Sequence, residues 1–441
     1  MNNHFHQIAI VGGGAGGLEL ATRLGDKLGK KGLADVTLVD CKLTHIWKPL
    51  LHEVAAGTLD SHEDELEYIA QAHWHHFRFR LGRMDGLDRA NKTISLEPTF
   101  DDDGKEIIPR RTVPYDTLIL AVGSLTDDFG IPGVAEHCHS LDYLEQAEAF
   151  QKFLLHTLIT AQTQEAPLRE EQLHIAIAGA GATGVELAAE LHHTTRQLVA
   201  YGLDRITPDT DIKLHIIEAN DRVLPGLPER ISASTAEVLK DIGVQLHTGE
   251  RINEATKSGF KTESGHFIPA EIKVWAAGIK APDFLADIDG LETTGSNQLV
   301  VRRTLQTTRD NDIFAFGDCA ACPQEEGEPN VPPRAQAAHQ QASMLYKSMR
   351  RRLQSAPLPE YRYKDFGSLI NLSKHSTVGN LMGNLMGRRK GSVMIEGWLA
   401  RLAYLSLYKM HQWALHGPLR VMLITFANLL TRPSSPRLKL H

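Results

Sequence analysis

The spacing G-x-G-x-x-G occurs twice in this chain. In "IAIVGGGAGGLELATRL" it is Gly12, Gly14 and Gly17, and in "HIAIAGAGATGVELAAEL" it is Gly179, Gly181 and Gly184. Each copy follows a short apolar run, as in a buried parallel strand, and opens a segment with helical apolar spacing. Each is followed by a second apolar strand ending in an acid, "DVTLVD" at Asp40 and "IKLHIIE" at Glu218. The first glycine permits a tight turn, the second lets backbone approach a pyrophosphate, and the third lets helix and strand pack closely. The helix N-terminus then faces the anion with free N–H groups, and the acid meets the ribose hydroxyls. One such spacing is a weak signal. Two, each with strand, helix, second strand and terminal acid, specify two dinucleotide sites and point to electrons passing between two dinucleotides. Glu218 accepts ribose hydroxyls and repels a 2′-phosphate, so the second site favours NADH over NADPH, although Arg222 lies near enough to accommodate such a phosphate.

Three further strands end in glycine: "YDTLILAVGS" at Gly123, "IKVWAAGIKAPDFL" at Gly278 and "NDIFAFGDCA" at Gly317-Asp318. With the two turns, this set resembles the two-dinucleotide-domain flavoprotein reductases of the pyridine nucleotide-disulfide oxidoreductase superfamily, over roughly residues 7–325. The resemblance implies an α/β protein of two Rossmann-like domains. The first turn would hold non-covalent FAD and the second NADH, with Asp318 contacting the ribityl-pyrophosphate region. The motif order inserts the NADH domain into the FAD domain. The expected segments are 1–165 (FAD, first part), 166–285 (NADH), 286–345 (FAD, second part) and 346–441 (C-terminal region).

The cysteines narrow the choice. Cys41 follows Asp40 without a partner a few residues on, and no C-x-x-C lies between Gly179 and Gly278. Cys319 and Cys322 form a C-x-x-C within the Gly-Asp turn, where a redox pair is possible and chance placement among small residues the simpler reading. One C-x-x-C is too little for zinc, and no metal is expected. Gln336 and Gln340 in "PPRAQAAHQQA" are four apart and share a helix face, able to bond a carbonyl oxygen without adding charge. From spacing alone they are surface glutamines. With the other motifs, "AQAAHQ" resembles the Ala-Gln-x-Ala-x-Gln motif of type II NADH dehydrogenases, single-chain NADH:quinone oxidoreductases that do not pump protons. The resemblance places Gln336 and Gln340 beside the flavin at the quinone site. It also puts Lys48 and Pro49 of "WKPLLHEVAAGTLD" near the isoalloxazine, and Lys374 of "NLSKHSTVG" towards the quinone. Glu186 and Glu190 are four apart, a spacing common on solvated helix faces. The resemblance brings the second acid near the flavin, for proton handling or nicotinamide positioning. The implied reaction is hydride transfer from NADH to FAD, then two-electron reduction of a quinone. The competing reading is a soluble NADH-dependent flavin reductase of a protein or disulfide acceptor, its tail serving dimerisation.

Net charge is −7, yet from Arg388 onward nine basic residues face only Glu396. "WLARLAYLSLYKMHQWALHGPLRVMLITFANLLTRP" reads as two amphipathic helices broken at Gly417-Pro418. Arg401, Lys409, Gln412 and His416 fall on one arc, with Leu402, Met410 and Trp413 opposite. No run reaches the ~18 apolar residues of a spanning helix. Cationic polar faces with broad apolar faces suit a membrane interface with anionic lipid, and a helical hairpin packed on protein fits the pattern about as well. A lipid-soluble quinone tips the reading to the membrane, and no nucleic-acid motif accompanies the basic residues. The lack of a recognisable signal peptide before the first strand and the NADH preference, with few cysteines, lead to the expectation of a peripheral protein at the cytoplasmic face of the inner membrane. The family resemblance also allows a homodimer.

Overall fold

The apolar runs before both glycine turns become the central strands of two parallel sheets, because strands buried on both faces need continuous apolar sequence. The computed structural model describes residues 5–101, 103–325, 328–373, 376–382, 392–396, 398–431 and 438. In chain order the elements that position the site are β1 (His6–Val11), α1 (Ala15–Lys27), β2 (Ala34–Asp40), α2 (Leu51–Ala56), β3 (Arg78–Leu81), β4 (Thr117–Leu120) and α3 (Leu144–Thr163). They continue with β5 (Ile175–Ala178), α4 (Ala182–Ala200), β6 (Leu214–Glu218), β7 (Gln245–Thr248), β8 (Ile272–Trp275), β9 (Ile313–Ala315) and α5 (Ala335–Arg352). A three-stranded antiparallel sheet follows, β10 (Gly367–Leu372), β11 (Ser376–Met382) and β12 (Ser392–Glu396), and then α6 (Trp398–His416) and α7 (Pro418–Thr431).

The chain divides into two compact units. The first comprises Met1–Trp47, Asp64–Leu125 and Ile279–Asp365. Its parallel sheet has the order β9-β4-β1-β2-β3. β1 pairs on one side with β2, Ile8 opposite Val36, and on the other with β4, Ile8 opposite Thr117. The strand order reverses at β1, and the carboxyl ends of strands flanking such a reversal open a crevice suited to a nucleotide.

The second unit comprises Lys48–Glu63, Thr126–Gly278 and Phe366–His441. Its parallel sheet has the order β7-β6-β5-β8, with Ile175 opposite Leu214 and Ile272. Ile175, Ala176, Ile177 and Ala178 are all buried, as are the four residues of β8. α2 packs against α3 and α4, and α6 packs against β10, β11 and β12. The segment Lys48–Glu63, which follows the first acid-ended strand in sequence, therefore belongs with the second dinucleotide unit. The boundary expected at 345 falls inside α5, which runs unbroken to Arg352 because no glycine or proline interrupts "AQAAHQQASMLYKSMRRR".

Candidate active site

At the first turn, Gly12 has φ +101°, and a Cβ there would lie 2.3 Å from the carbonyl oxygen of Ala121. A Cβ on Gly17 would meet the Gly12 carbonyl oxygen at 1.9 Å, whereas one on Gly14 meets nothing within 4 Å. The first and third glycines thus serve packing, and the second borders open space at the head of α1. Asp40 closes the turn: its Oδ2 accepts from Gly13 N at 2.6 Å and its Oδ1 from Lys42 N at 2.9 Å. Burial raises the Asp40 carboxyl pKa against the pull of those N–H groups. The Tyr68 hydroxyl donates to Gly13 O at 2.8 Å. Asp318 follows β9 and accepts from the Ser124 hydroxyl at 2.9 Å, while its backbone oxygen accepts from Gln298 Nε2 at 2.8 Å. Gly123 and Gly317 both take the left-handed φ of +71°. Gly317 N donates to Gln341 Oε1 at 2.8 Å, from the buried face of α5. Gly12, Gly14, Asp40, Gly123 and Asp318 are thereby gathered at the carboxyl ends of the first unit's strands.

The second turn repeats this geometry. Gly179 has φ +99°, a Cβ on Gly184 would lie 2.0 Å from the Gly179 carbonyl oxygen, and Gly181 faces open space. Glu218 Oε2 accepts from Ala180 N at 2.8 Å, the counterpart of Asp40 on Gly13, and Oε1 accepts from Asn220 N at 2.9 Å. The Arg222 guanidinium is committed to its own loop, donating to Leu227 O at 2.9 Å and Pro225 O at 2.8 Å. Gly278 after β8 has φ +69°, and the exposed Phe129 ring lies against it.

The remaining candidates divide between the units. Glu186 and Glu190 are buried, 7% and 5% exposed, not part of a solvated face. Burial first, then the like charges of Glu53 and Glu190, push the Glu186 carboxyl up to about 8, against the opposing pull of the Asn371 N–H, which donates to its Oε1 at 2.9 Å. The spacing of Glu186 and Glu190 in sequence carries no sign of burial, because Asn371 of β10, which bonds Glu186, lies 185 residues downstream. In the first unit, Gln336 Nε2 donates to Asp365 Oδ1 at 3.3 Å. Gln340 is bonded twice to the Lys364 backbone, donating to O at 2.8 Å and accepting from N at 3.0 Å. The neighbouring His339 Nδ1 lies 2.6 Å from the buried Glu19 of α1, a contact that fixes α5 against α1. Lys48 pairs with Asp142 at 3.2 Å, and Pro49 follows it in a single 3-10 turn of the second unit. Lys374 lies outside the described residues.

Sequence reading missed Tyr68 and Gln341. A lone tyrosine carries no pattern, and Gln341 stands next to Gln340 in sequence yet about 100° round the helix, on its buried side. The Cys319 and Cys322 thiols are both buried and free. Burial pushes them up to about 11 and about 12, so neither supplies a thiolate near neutrality. Cys319 Sγ is turned to Leu120 O and Phe316 O, and Cys322 Sγ to Pro323 O.

A profile of the pyridine nucleotide-disulphide oxidoreductases matches residues 6–342. The chain is 43% identical to a type II NADH:quinone oxidoreductase of Haemophilus influenzae, over 98% of this chain and 99% of that one. The chain belongs to the type II NADH:quinone oxidoreductase family. A second relative of that name, from Staphylococcus aureus, is 26% identical over 88% of this chain and 92% of its own. Among solved structures, NDH2 of Plasmodium falciparum in complex with NADH superposes with a TM-score of 0.80 at 18% identity, covering 98% of this chain and all of that one. The sulfide:quinone oxidoreductase of Aquifex aeolicus gives 0.72 at 16% identity over 97% and 95%. These two share the fold. Membership of the type II family over the full length extends to the C-terminal region, beyond the 6–342 of the wider family profile.

Proposed function

We propose that the chain is an FAD-dependent NADH:quinone oxidoreductase. The observation that carries this reading is the full-length 43% identity to a type II NADH:quinone oxidoreductase, supported by two glycine turns of matching geometry, each closed by the acid of the next strand. The open space at Gly14 and Gly181 fits backbone approach to a pyrophosphate. Asp40 and Glu218 already accept N–H donors and can turn to ribose hydroxyls, so the residues fit both dinucleotides. Gly12, Gly14, Asp40, Gly123 and Asp318 would hold FAD, and Gly179, Gly181, Glu218 and Gly278 would hold NADH. When bound, the flavin accepts hydride from the nicotinamide and passes two electrons to a quinone.

The protein's part is binding, orientation and proton supply. The committed guanidinium of Arg222 and the inward-turned Glu218 favour NADH over NADPH. The raised carboxyl of Glu186 keeps a proton to hand at neutral pH, with Glu190 one helical turn away. Gln336 and Gln340, steadied by the 364–365 segment, face the quinone carbonyl. No described helix is long and apolar enough to cross a membrane. Met410, Trp413, Leu419, Met422, Leu423 and Phe426 expose apolar side chains on α6 and α7, while His411, Leu415 and Val421 are turned inward. This favours peripheral attachment, the apolar side chains entering the headgroup boundary and the basic residues meeting anionic lipid at the cytoplasmic face.

The test is NADH oxidation by the full chain with and without a soluble short-chain quinone, in the absence of thiols and ferredoxins. Rapid quinone-dependent oxidation is expected. Oxidation no faster with quinone than without it overturns the reading.

A further inference from the structure

The C-terminal region does more than present an apolar surface. One of its residues, Tyr404 of α6, turns into the second unit, where its hydroxyl is buried and has no hydrogen-bond partner among the described residues. The charges acting on that phenol are the carboxyls of Glu186, Glu53 and Glu190. Four elements meet at these groups: α4 brings Glu186 and Glu190, α2 brings Glu53 with the buried His52 beside it, β10 brings the Asn371 N–H, and α6 brings Tyr404. A phenolic O–H buried without a partner is costly, and a carboxylate is the strongest acceptor it can find. Asn371 N occupies one oxygen of Glu186, Oε1.

We propose that Tyr404 is a positioning residue whose O–H closes on Glu186 when that acid ionises, so that α6 completes the acid site of the second unit. This rests on the reading of Glu186 as the proton-holding acid of the reaction. Tyr404 keeps its own proton throughout: burial raises its pKa and the three carboxyls raise it further. Its contribution is a donor that the carboxylate accepts more strongly than the neutral acid does. It therefore lowers the pH at which Glu186 gives up its proton. The helix that carries the exposed Met410 and Trp413 also carries this donor, six and nine residues earlier. A displacement of α6 would withdraw the donor and leave Glu186 protonated to higher pH.

The experiment is an infrared pH titration of the full-length, flavin-loaded protein in detergent. The carboxylic-acid carbonyl band of Glu186 is assigned by its loss in Glu186→Gln. Its midpoint is expected about one pH unit higher in Tyr404→Phe, which removes only the hydroxyl, than in the parent protein. Tyr404→Met, which also lacks the hydroxyl, must move the midpoint the same way, and it serves if the phenylalanine variant does not fold. A midpoint unmoved in a folded variant, or no band lost in Glu186→Gln, overturns the proposal. Quinone-dependent oxidation of NADH by the same samples separates the two readings. If the parent lacks that activity yet the midpoint shifts, the reaction assigned above fails while the Tyr404–Glu186 contact stands. If activity is normal and the midpoint is unmoved, Tyr404 is a packing residue and the reaction assigned above stands.

Discussion

The two third-position glycines, Gly17 and Gly184, sit in the same steric trap at different sites, so the same substitution separates the two dinucleotides. Gly17→Ala forces apart the turn and α1, and purified protein should carry little flavin by visible absorbance. Gly184→Ala should keep its flavin and bind NADH roughly tenfold or more weakly, a cost of about 1.4 kcal/mol, by titration of the reduced nicotinamide. Glu186 shows what a buried acid costs the fold. Its folded pKa is raised from 4.5 to about 8, so its favourable contribution is complete below pH 4.5 and is lost as pH rises towards 8. Glu186→Gln should therefore raise the thermal midpoint at pH 8, with little effect at pH 4.5, while slowing turnover. Cys319→Ser and Cys322→Ser should leave quinone-dependent NADH oxidation unchanged, because both thiols are buried and protonated. The turns made by the glycines and closed by the terminal acids were legible because spacing reports backbone conformation. The burial of Glu186 and Glu190 was not, since it depends on β10 and α6, far along the chain.

Among the elements, α5 shows both the reach of the sequence and its limit. The four-residue spacing of Gln336 and Gln340 gave the face they share, and the prolines gave the start of the helix. Nothing local told that Gln340 would bond both backbone atoms of Lys364, or that Gln341 would hold Gly317 from the buried side. Gln341→Leu leaves the Gly317 N–H without its partner and should destabilise the first unit by about 1–3 kcal/mol, seen in urea unfolding. The tail helices were legible from their apolar periodicity and the Gly417-Pro418 break, and Lys409 donates to Gln412 at 2.8 Å on the polar side as the pattern requires. Their outward residues offer the cleaner test of attachment. Trp413→Ser with Phe426→Ser should abolish co-sedimentation with anionic liposomes and preserve activity on a soluble quinone. A chain ended before Trp398 would lose Tyr404 as well and confuse the two roles.

At the scale of the whole molecule, acid should act on the two units unequally. Among the described residues, burial lowers the pKa of His6 and His45 in the first unit, and of His52, His139, His174, His215 and His247 in the second. His45 and His52 fall to about 4 and His215 to about 3, from 6.5. Each contributes stability that is present above pH 6.5 and lost as pH falls through the folded value. Hydrogen exchange at pH 5 should show β5, β6 and β8 losing protection before β1, β2 and β4. The interleaving of the units has a consequence for synthesis. The ribosome delivers Lys48–Glu63 long before the sheet it will join, and the first unit lacks β9 and α5 until residue 352 has emerged. Neither unit can be finished as a nascent chain from its early segments. Both wait, with apolar strands such as β1 and β4 exposed, for sequence still inside the ribosome, so the interval of greatest aggregation risk is the last third of translation.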